Sequence, residues 1–404
     1  MNQVLLSQLS EALKSIVGYI YPNEIELHWG LLIVLYPYIT GLVAGAFILA
    51  SLERVFNVKE IQPTYRLSLL TALAFLLVAP LPLLAHLGHP ERAFEIFLTP
   101  HLQSAMAMFG FVYAWYLSVV LLLEVWFDYR ADIVAWSEAS KGWRRILYSI
   151  LTLGVRSTSK EALRFDDRAG RFITIIGIPS AFLLHGYVGF IFGSVKANPW
   201  WSSVLMPVVF LFSAIVSGIA LVLVIYMISS WVRRHPIDMR CLDKLAQFLF
   251  YALILDVSLE LLDFVHRLYE AEESIDILGQ MIRNRLFVPL VVVQAILGTA
   301  IPVVALGLLQ GFKPRDVVRK GIYFASGTLL LVAIFFMRWN VVIGGQLFSK
   351  SLRGLTVYKI GIAGREGVVA ASLLAALPVA ILLVLIKLLP PWPERRGRGA
   401  VSEK

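Results

Sequence analysis

Asp256, Glu260, Asp263 and Arg267 follow one another at spacings of four, three and four residues in a largely apolar stretch. At about 100° per residue they fall within a helical stripe about 60° wide. Carboxylates on one face of an apolar helix can hold and pass protons, and a guanidinium beside them can hold a charge. They are also expensive: an acid near the centre of a bilayer costs roughly 2.5–3.5 kcal/mol. Other ionisable side chains interrupt apolar runs in the same way. His185 and Tyr187 stand two residues apart in LHGYVGFIFG, Arg338 sits in FFMRWNVV, His28 opens an apolar run and His86 closes one. Residues of this kind face a bundle interior, where they pair or conduct. The plainer alternatives are Glu260 paired with Arg267 or Arg338, Asp263 and Arg267 lying at the interface, His185 bonding between helices, and Tyr187 anchoring at the interface.

The elements that position these residues follow from composition. Of 404 residues, 58% are hydrophobic and 16% charged, and the mean hydropathy is +0.76. Such a chain has too little polar surface to coat a soluble globule and is far too apolar for disorder. It reads as an all-α polytopic membrane protein, because runs of about 20 apolar residues satisfy their backbone in lipid as helices. Nine such runs lie at 29–52, 66–86, 103–127, 170–194, 202–231, 244–266, 285–310, 320–345 and 366–389. Pro37, Pro80, Pro82, Pro179, Pro207 and Pro302 fall inside them and are expected to kink helices. Residues 3–20 read as an amphipathic interfacial helix. Residues 142–154 resemble it, and a tenth, re-entrant element would fit there. Gly41-x-x-x-Gly45 and Gly307-x-x-x-Gly311 read as helix-packing pairs.

Lysine and arginine set the orientation. The connections after runs 1, 3, 5 and 7 and the tail after run 9, together with the basic residues at the run ends beside them, hold 25 of the 36 basic residues. This predicts a multi-pass protein of the cell membrane, N-terminus outside and C-terminus cytoplasmic. Residues 346–365 resist, carrying Lys350, Arg353, Lys359 and Arg365 on the predicted outside. The net charge of +9 is therefore topology, and nucleic acid is not an expected partner. The single cysteine, Cys241, excludes a disulfide scaffold, a cysteine-ligated iron–sulfur cluster and covalent c-type haem.

Helix rise places the ionisable residues in depth. Counted from the basic residue at the inner end of each run, His185 lies ~21 Å up, Tyr187 ~24 Å, Asp256 ~18 Å, Glu260 ~24 Å, Asp263 ~28 Å and Arg338 ~27 Å. With His28 and His86, they gather in the outer third, and the inner half is expected to be almost free of ionisable side chains.

The stretch HLGHPERAFEIFLTPHLQSAMAMFGFVYAWYL, from His86 through Ser104-Ala105-Met106, resembles the hallmark of the NrfD/PsrC family of quinone-interacting membrane subunits. FLLHGYVGFIFGSVKANPWW (182–201) and RWNVVIGGQ (338–346) are similar to the branch containing DsrP of the DsrMKJOP complex and HmeB of the archaeal Hdr-like menaquinol oxidoreductase (Hme) complex. The resemblance covers essentially the whole chain. It implies two four-helix bundles (28–195, with a cytoplasmic loop at 128–169, and 196–345), preceded by an outer segment 1–27. It implies an outer loop and peripheral helix at 346–390, then a cytoplasmic tail 391–404. It implies a menaquinone site at the outer face, with no haem or iron–sulfur cluster and no metal in this chain. In the family a His and an Asn at the start of the first helix and a Tyr in the fourth hold the quinone. His28 and Tyr187 fall on two of these positions and Asn23, more widely spaced, on the third.

Beside them, His185 and Arg338 could contact the head group, and Asp256, Glu260, Asp263 and His86 could move protons. The resemblance also implies an extracytoplasmic four-cluster ferredoxin-like iron–sulfur partner, a multihaem cytochrome c subunit, a membrane haem b subunit and a cytoplasmic heterodisulfide-reductase-like iron–sulfur subunit. Within it, the chain would oxidise menaquinol in sulfur and sulfite metabolism.

Two other classes compete. A b-type cytochrome could use two of His28, His86, His185 and His266, all near one face. A transporter without redox chemistry would place its polar groups near the midplane, which the off-centre cluster disfavours. The quinone reading expects no b-type α band in the dithionite-reduced spectrum of the purified subunit; such a band would make it a cytochrome.

Overall fold

A computed structural model describes residues 13, 16–101, 103–270 and 274–392. Among the described residues, eight helices are long and apolar enough to cross a membrane: α1 (Leu31–Arg54), α2 (Lys59–His86), α3 (Met108–Ala139), α5 (Lys160–Gly193), α6 (Met206–Val232), α8 (Ile275–Gly311), α9 (Asp316–Gln346) and α10 (Val368–Leu388). Between α6 and α8 runs α7 (Met239–Glu270), 32 residues long, which packs on both. A short helix, α4 (Trp143–Leu151), lies between α3 and α5. Every expected run thus falls on a long helix.

Packing closes two rings of four. Helices α1, α2, α3 and α5 form one, and α6, α7, α8 and α9 the other. Helix α10 stands outside them against α2 and α1. The rings share a seam where α1 packs on α6. There the chain needs glycine: a Cβ on Gly218 would overlap the backbone of Gly45 and Ala46, and one on Gly45 the carbonyl of Ala214. Helix contact in lipid rests on such close approach, because lipid tails are as apolar as leucine. The Gly41/Gly45 pair therefore packs as expected. The second pair does so only in part: Gly307 faces Phe250, while Gly311 meets open space.

Several prolines are accommodated at boundaries instead of kinking a helix. Pro207 opens α6, and Pro80 precedes a fresh turn at Leu81–His86 after α2 pauses at Val78. Ile282–Ala300 is wound as a π-helix, and Pro302 sits where α8 returns to α-winding.

The expected interfacial helix lies mostly outside the described residues. Its last part, Val17–Tyr19, is a strand, β1, paired antiparallel with β2 (Arg353–Leu355), Val17 opposite Leu355. This pairing fastens the segment before α1 to the loop after α9. The same loop is tied to the end of α2: Arg365 Nη2 donates to the carbonyls of Leu84 (3.2 Å) and Leu87 (2.7 Å), and His86 Nδ1 lies 2.8 Å from Glu366. The loop therefore shares a face with the start of α1, and no extra crossing separates them among the described residues. One of its basic residues, Arg365, caps helix carbonyls, where a cation is favoured, which explains its departure from the charge pattern.

Residues 128–169, expected as a loop, are largely helical. They form no long loop, because α3 runs on to Ala139 and α5 begins at Lys160. Their charges pair between these extensions: Arg130 reaches Asp166 at 2.5–2.9 Å and the Ser157 carbonyl at 2.6 Å. Helix α4 is too short to cross a membrane. Nine residues rise only about 14 Å, and Tyr148 ties it to the Leu388 carbonyl at the end of α10 (2.8 Å).

Gly218→Leu should disrupt the α1–α6 seam, an overpacking cost of about 3 kcal/mol or more. Gly311→Leu should be tolerated. Thermal unfolding and size-exclusion profiles of the two variants in detergent check the contrast.

Candidate functional site at the His28 end of the bundle

Arg338 is the residue around which the site is built. Helix α9 carries it into the seam between the rings, where it is 0% exposed. A guanidinium only donates hydrogen bonds, so its surroundings must accept. Nη2 donates to Ser213 Oγ (2.6 Å), to His185 Nε2 (3.0 Å) and to the Phe210 carbonyl (3.3 Å), and the group lies 3.9 Å from the centre of the Phe210 ring. His185 Nδ1 lies 3.3 Å from Thr40 Oγ1, whose own proton is directed at the Tyr36 carbonyl (3.1 Å). Together these contacts assign the tautomer. Nδ1–H donates to Thr40, and Nε2 is bare and accepts from Arg338. His185 is fully buried with both ring nitrogens committed, joining α1, α5, α6 and α9.

The acids of α7 complete the cluster. Asp256 is 2% exposed, acts electrostatically on Arg338 together with Glu260, and leaves Oδ1 without a hydrogen-bond partner. Glu260 Oε2 accepts from Gln294 (3.2 Å), and Gln294 Oε1 accepts from Asn340 Nδ2 (2.7 Å). Asp263 accepts from Ser203 and from Arg267 Nε (2.8 Å). The one stripe thus divides. Asp263 and Arg267 satisfy each other and are buried, whereas among the described residues Glu260 has Gln294 alone as hydrogen-bond donor and Asp256 is under-satisfied.

The segments 182–201 and 338–346, which resemble one family branch, dock on each other. Trp200 and Trp201 donate their indole N–H groups to the carbonyls of Asn340 (2.8 Å) and Val341 (2.6 Å). Asn198 accepts from the backbone N–H groups of both tryptophans and donates to the Gly345 carbonyl (2.7 Å). A Cβ on Gly345 would overlap the Trp201 ring. The Gln346 amide brackets the Trp29 backbone, donating to its carbonyl (3.0 Å) and accepting from its N–H (3.1 Å). The start of α1, the connection before α6 and the end of α9 are held as one unit.

Two cavities adjoin this unit. A groove of about 260 Å³ is lined by Asn23, Glu26, His28, Asn198, Trp201 and Gln346, among others, so it brings Asn23 and His28 together. A larger cavity of about 510 Å³ lies within the second ring, with Glu260, Asp263, Arg267, Gln294 and Asn340 in its wall. Tyr187 lines neither; it is half-buried, stacked on Phe190 and close to Tyr36. His86 reaches the groove no more than Tyr187 does and is held by Glu366. Among the four histidines weighed as haem ligands, His86 contacts Glu366, His185 contacts Arg338 and Thr40, and His266 contacts Glu270. Among the described residues no three His, Cys, Asp or Glu side chains are grouped to hold a metal ion.

The opposite end of the first ring is not free of ionisable groups, as sequence depth suggested. Glu124 on α3 is 1% exposed and accepts from Thr174 (2.7 Å), and Asp128 one turn on accepts from Arg66 Nε (2.7 Å) and Arg54 (3.4 Å). The signal was present: Glu124 interrupts the apolar run LSVVLLLEVWF. It sits close to an expected run end, where a charge is ordinarily solvated.

The arrangement is that of a multi-pass membrane subunit with an ionisable cluster buried near one end. Residues 22–350 match the family model for polysulphide reductase, NrfD, and the chain belongs to that family. It is 32% identical over 270 residues, 66% of its length, to a selenate reductase subunit of Mesobacillus selenatarsenatis. It is 31% identical over 55% of its length to a putative dimethyl sulfoxide reductase membrane subunit of Halobacterium salinarum. The chain spans 62% and 48% of those two proteins. The Hdr-like menaquinol oxidoreductase integral membrane subunit of Archaeoglobus fulgidus is 24% identical over 93% of the chain.

Removing Arg338 leaves a buried acid without its cation, which costs about 3–5 kcal/mol. Arg338→Leu should therefore lower the melting temperature sharply, and Arg338→Leu with Asp256→Leu should recover part of the loss. Differential scanning fluorimetry of the two variants checks the coupling.

Proposed function

We propose that this chain is the quinone-handling membrane subunit of a menaquinol-oxidising respiratory complex, working at the His28 end of the bundle. One observation carries the reading. Asp256 is buried at that end with Oδ1 lacking a hydrogen-bond partner, and Glu260, one turn on and half-buried, has Gln294 as its hydrogen-bond donor among the described residues. A carboxylate kept in that condition is suited to exchanging protons. Family membership supports the quinone, and the archaeal relative that aligns along most of the chain is named for menaquinol. That relative also favours the branch with DsrP and HmeB, linked to sulfur and sulfite metabolism.

Bound quinol supplies two electrons and two protons. His28 and Asn23, which share a groove, offer a donor and an amide to head-group oxygens, and Tyr187 offers a phenol from α5. Arg338 and His185 position the acids: the guanidinium holds negative charge on α7, and the imidazole fixes the guanidinium. Asp256 and Glu260 take up protons, and Asp263 and His86, nearer the end of the bundle, deliver them to the surface.

One cysteine cannot ligate an iron–sulfur cluster, so electrons pass to a partner of the four-cluster ferredoxin-like class on the same face. The rest of the route runs through a multihaem cytochrome c, a membrane haem b subunit and a cytoplasmic heterodisulfide-reductase-like protein. Basic residues concentrate at the Arg54 end, which supports an extracytoplasmic His28 end and a cytoplasmic C-terminus.

His28→Ala and Tyr187→Phe should each slow menaquinol oxidation by the assembled complex about tenfold, each removing one hydrogen bond to the head group of about 1.5 kcal/mol. Steady-state kinetics with a soluble menaquinol analogue measure this. Unchanged rates in both variants would remove the site.

A further inference from the structure

We infer that the 510 Å³ cavity of the second ring is a second quinol site, entered from the lipid between α7 and α8 and separate from the His28 groove; this rests on the proposal that the chain handles quinol. The cavity arises from how two consecutive helices diverge. Helix α7 meets α8 through the Ile301–Gly311 stretch, where Phe250 packs over Gly307, and has few contacts with the π-wound Ile282–Ala300 stretch. The opening between them is flanked by Leu261, 60% exposed, and Phe264, 37% exposed, on α7 and by exposed Ala295 on α8. These are lipid-facing side chains, so the mouth opens to the bilayer. The volume lies within the range of small-molecule sites, which are mostly apolar with a few placed polar groups.

The polar groups lie at the inner wall. Glu260 presents a carboxylate whose only hydrogen-bond donor is Gln294 Nε2 among the described residues, and Asn340 Oδ1 is buried without a partner. Glu260 is half-exposed to the cavity and can accept from a further donor, whereas Asn340 Oδ1 is closed off from it. Arg267 also lines the cavity but is already taken by Asp263. With Glu260, Asp263 and Arg267 the wall has a formal charge of −1. Anionic phosphate would be repelled, so a phospholipid head group is a poor occupant. A neutral lipid-soluble ring bearing a hydroxyl can donate to Glu260, and a quinol has that chemistry. Bound there, its hydroxyl would donate to Glu260, the same carboxylate that neighbours Asp256 and Arg338 in the buried cluster.

The test uses the intact complex in nanodiscs and the fluorescent quinol analogue 2-heptyl-4-hydroxyquinoline N-oxide, titrated to count sites by quenching. Ala295→Trp, which fills the mouth, should lower the count by one and leave the site lost in His28→Ala intact. Glu260→Gln should keep the count and weaken one site about tenfold. An unchanged count in Ala295→Trp overturns the inference. Should that variant fail to assemble, a bimane label on Leu261→Cys decides the matter, since Cys241 is buried. Label quenching by the analogue in wild-type background supports the site. No quenching, or quenching by brominated phospholipid that the analogue does not displace, overturns it. If the complex binds no analogue at all, the quinol reading falls as well. If only the His28 site binds, the quinol reading stands and this inference alone fails.

Discussion

Arg338 is the constraint on which the remainder depends. A guanidinium keeps its proton under any condition a membrane protein meets, and this one is closed off from solvent at the seam of two helical rings. The fold supplies acceptors around Nη2 and leaves Nε without a hydrogen-bond partner among the described residues. Ser213 and the Phe210 carbonyl accept from α6, His185 from α5, and the acids Asp256 and Glu260 act on it from α7. His185 can accept only because Thr40 of α1, its hydroxyl proton already spent on a carbonyl, takes the imidazole N–H. One charge thereby fixes a tautomer and registers five helices.

The same residue explains why an excess of acid is tolerated. A buried ion pair is weak grounds for stability, since desolvation offsets much of the attraction. Here two acids share one cation whose Nη2 is spent on Ser213, His185 and the Phe210 carbonyl and whose Nε has no hydrogen-bond partner among the described residues. Asp263 has its own partner in Arg267, so the imbalance falls on Asp256 and Glu260. Around it the structure is stiff. Trp200 and Trp201 saturate carbonyls at the end of α9, and Asn198 and Gln346 bolt that end to the start of α1. An under-satisfied acid beside a frame tied by these hydrogen bonds is a place where a proton can move without the helices moving.

Much of this was legible in the sequence, for physical reasons. The apolar runs became long helices because lipid leaves a backbone few alternatives. The stripe from Asp256 to Arg267 was legible because helical spacing places it on one face. What the stripe could not reveal was its division, since Ser203, Gln294 and Asn340 come from other elements. The docking of 198–201 on 340–346 joins segments 140 residues apart and has no local signature. Arg130 and Asp166 looked like loop charges because paired charges on helix extensions and solvated charges in loops read alike. Glu124 lies near a run end, where a buried acid and a solvated one have the same sequence context. Tyr187 and His28 were associated by family position, and the structure puts His28 on the groove and Tyr187 on the flank of α5.

Quinol binding at the end of the bundle where Arg338 and its acids are buried is tested most directly by a density map of the intact complex, prepared with menaquinol. Head-group density is expected at the His28 end, within hydrogen-bonding reach of His28, Tyr187 or Glu260. Head-group density confined to the opposite end, beside Arg54, Glu124 and Asp128, would contradict it.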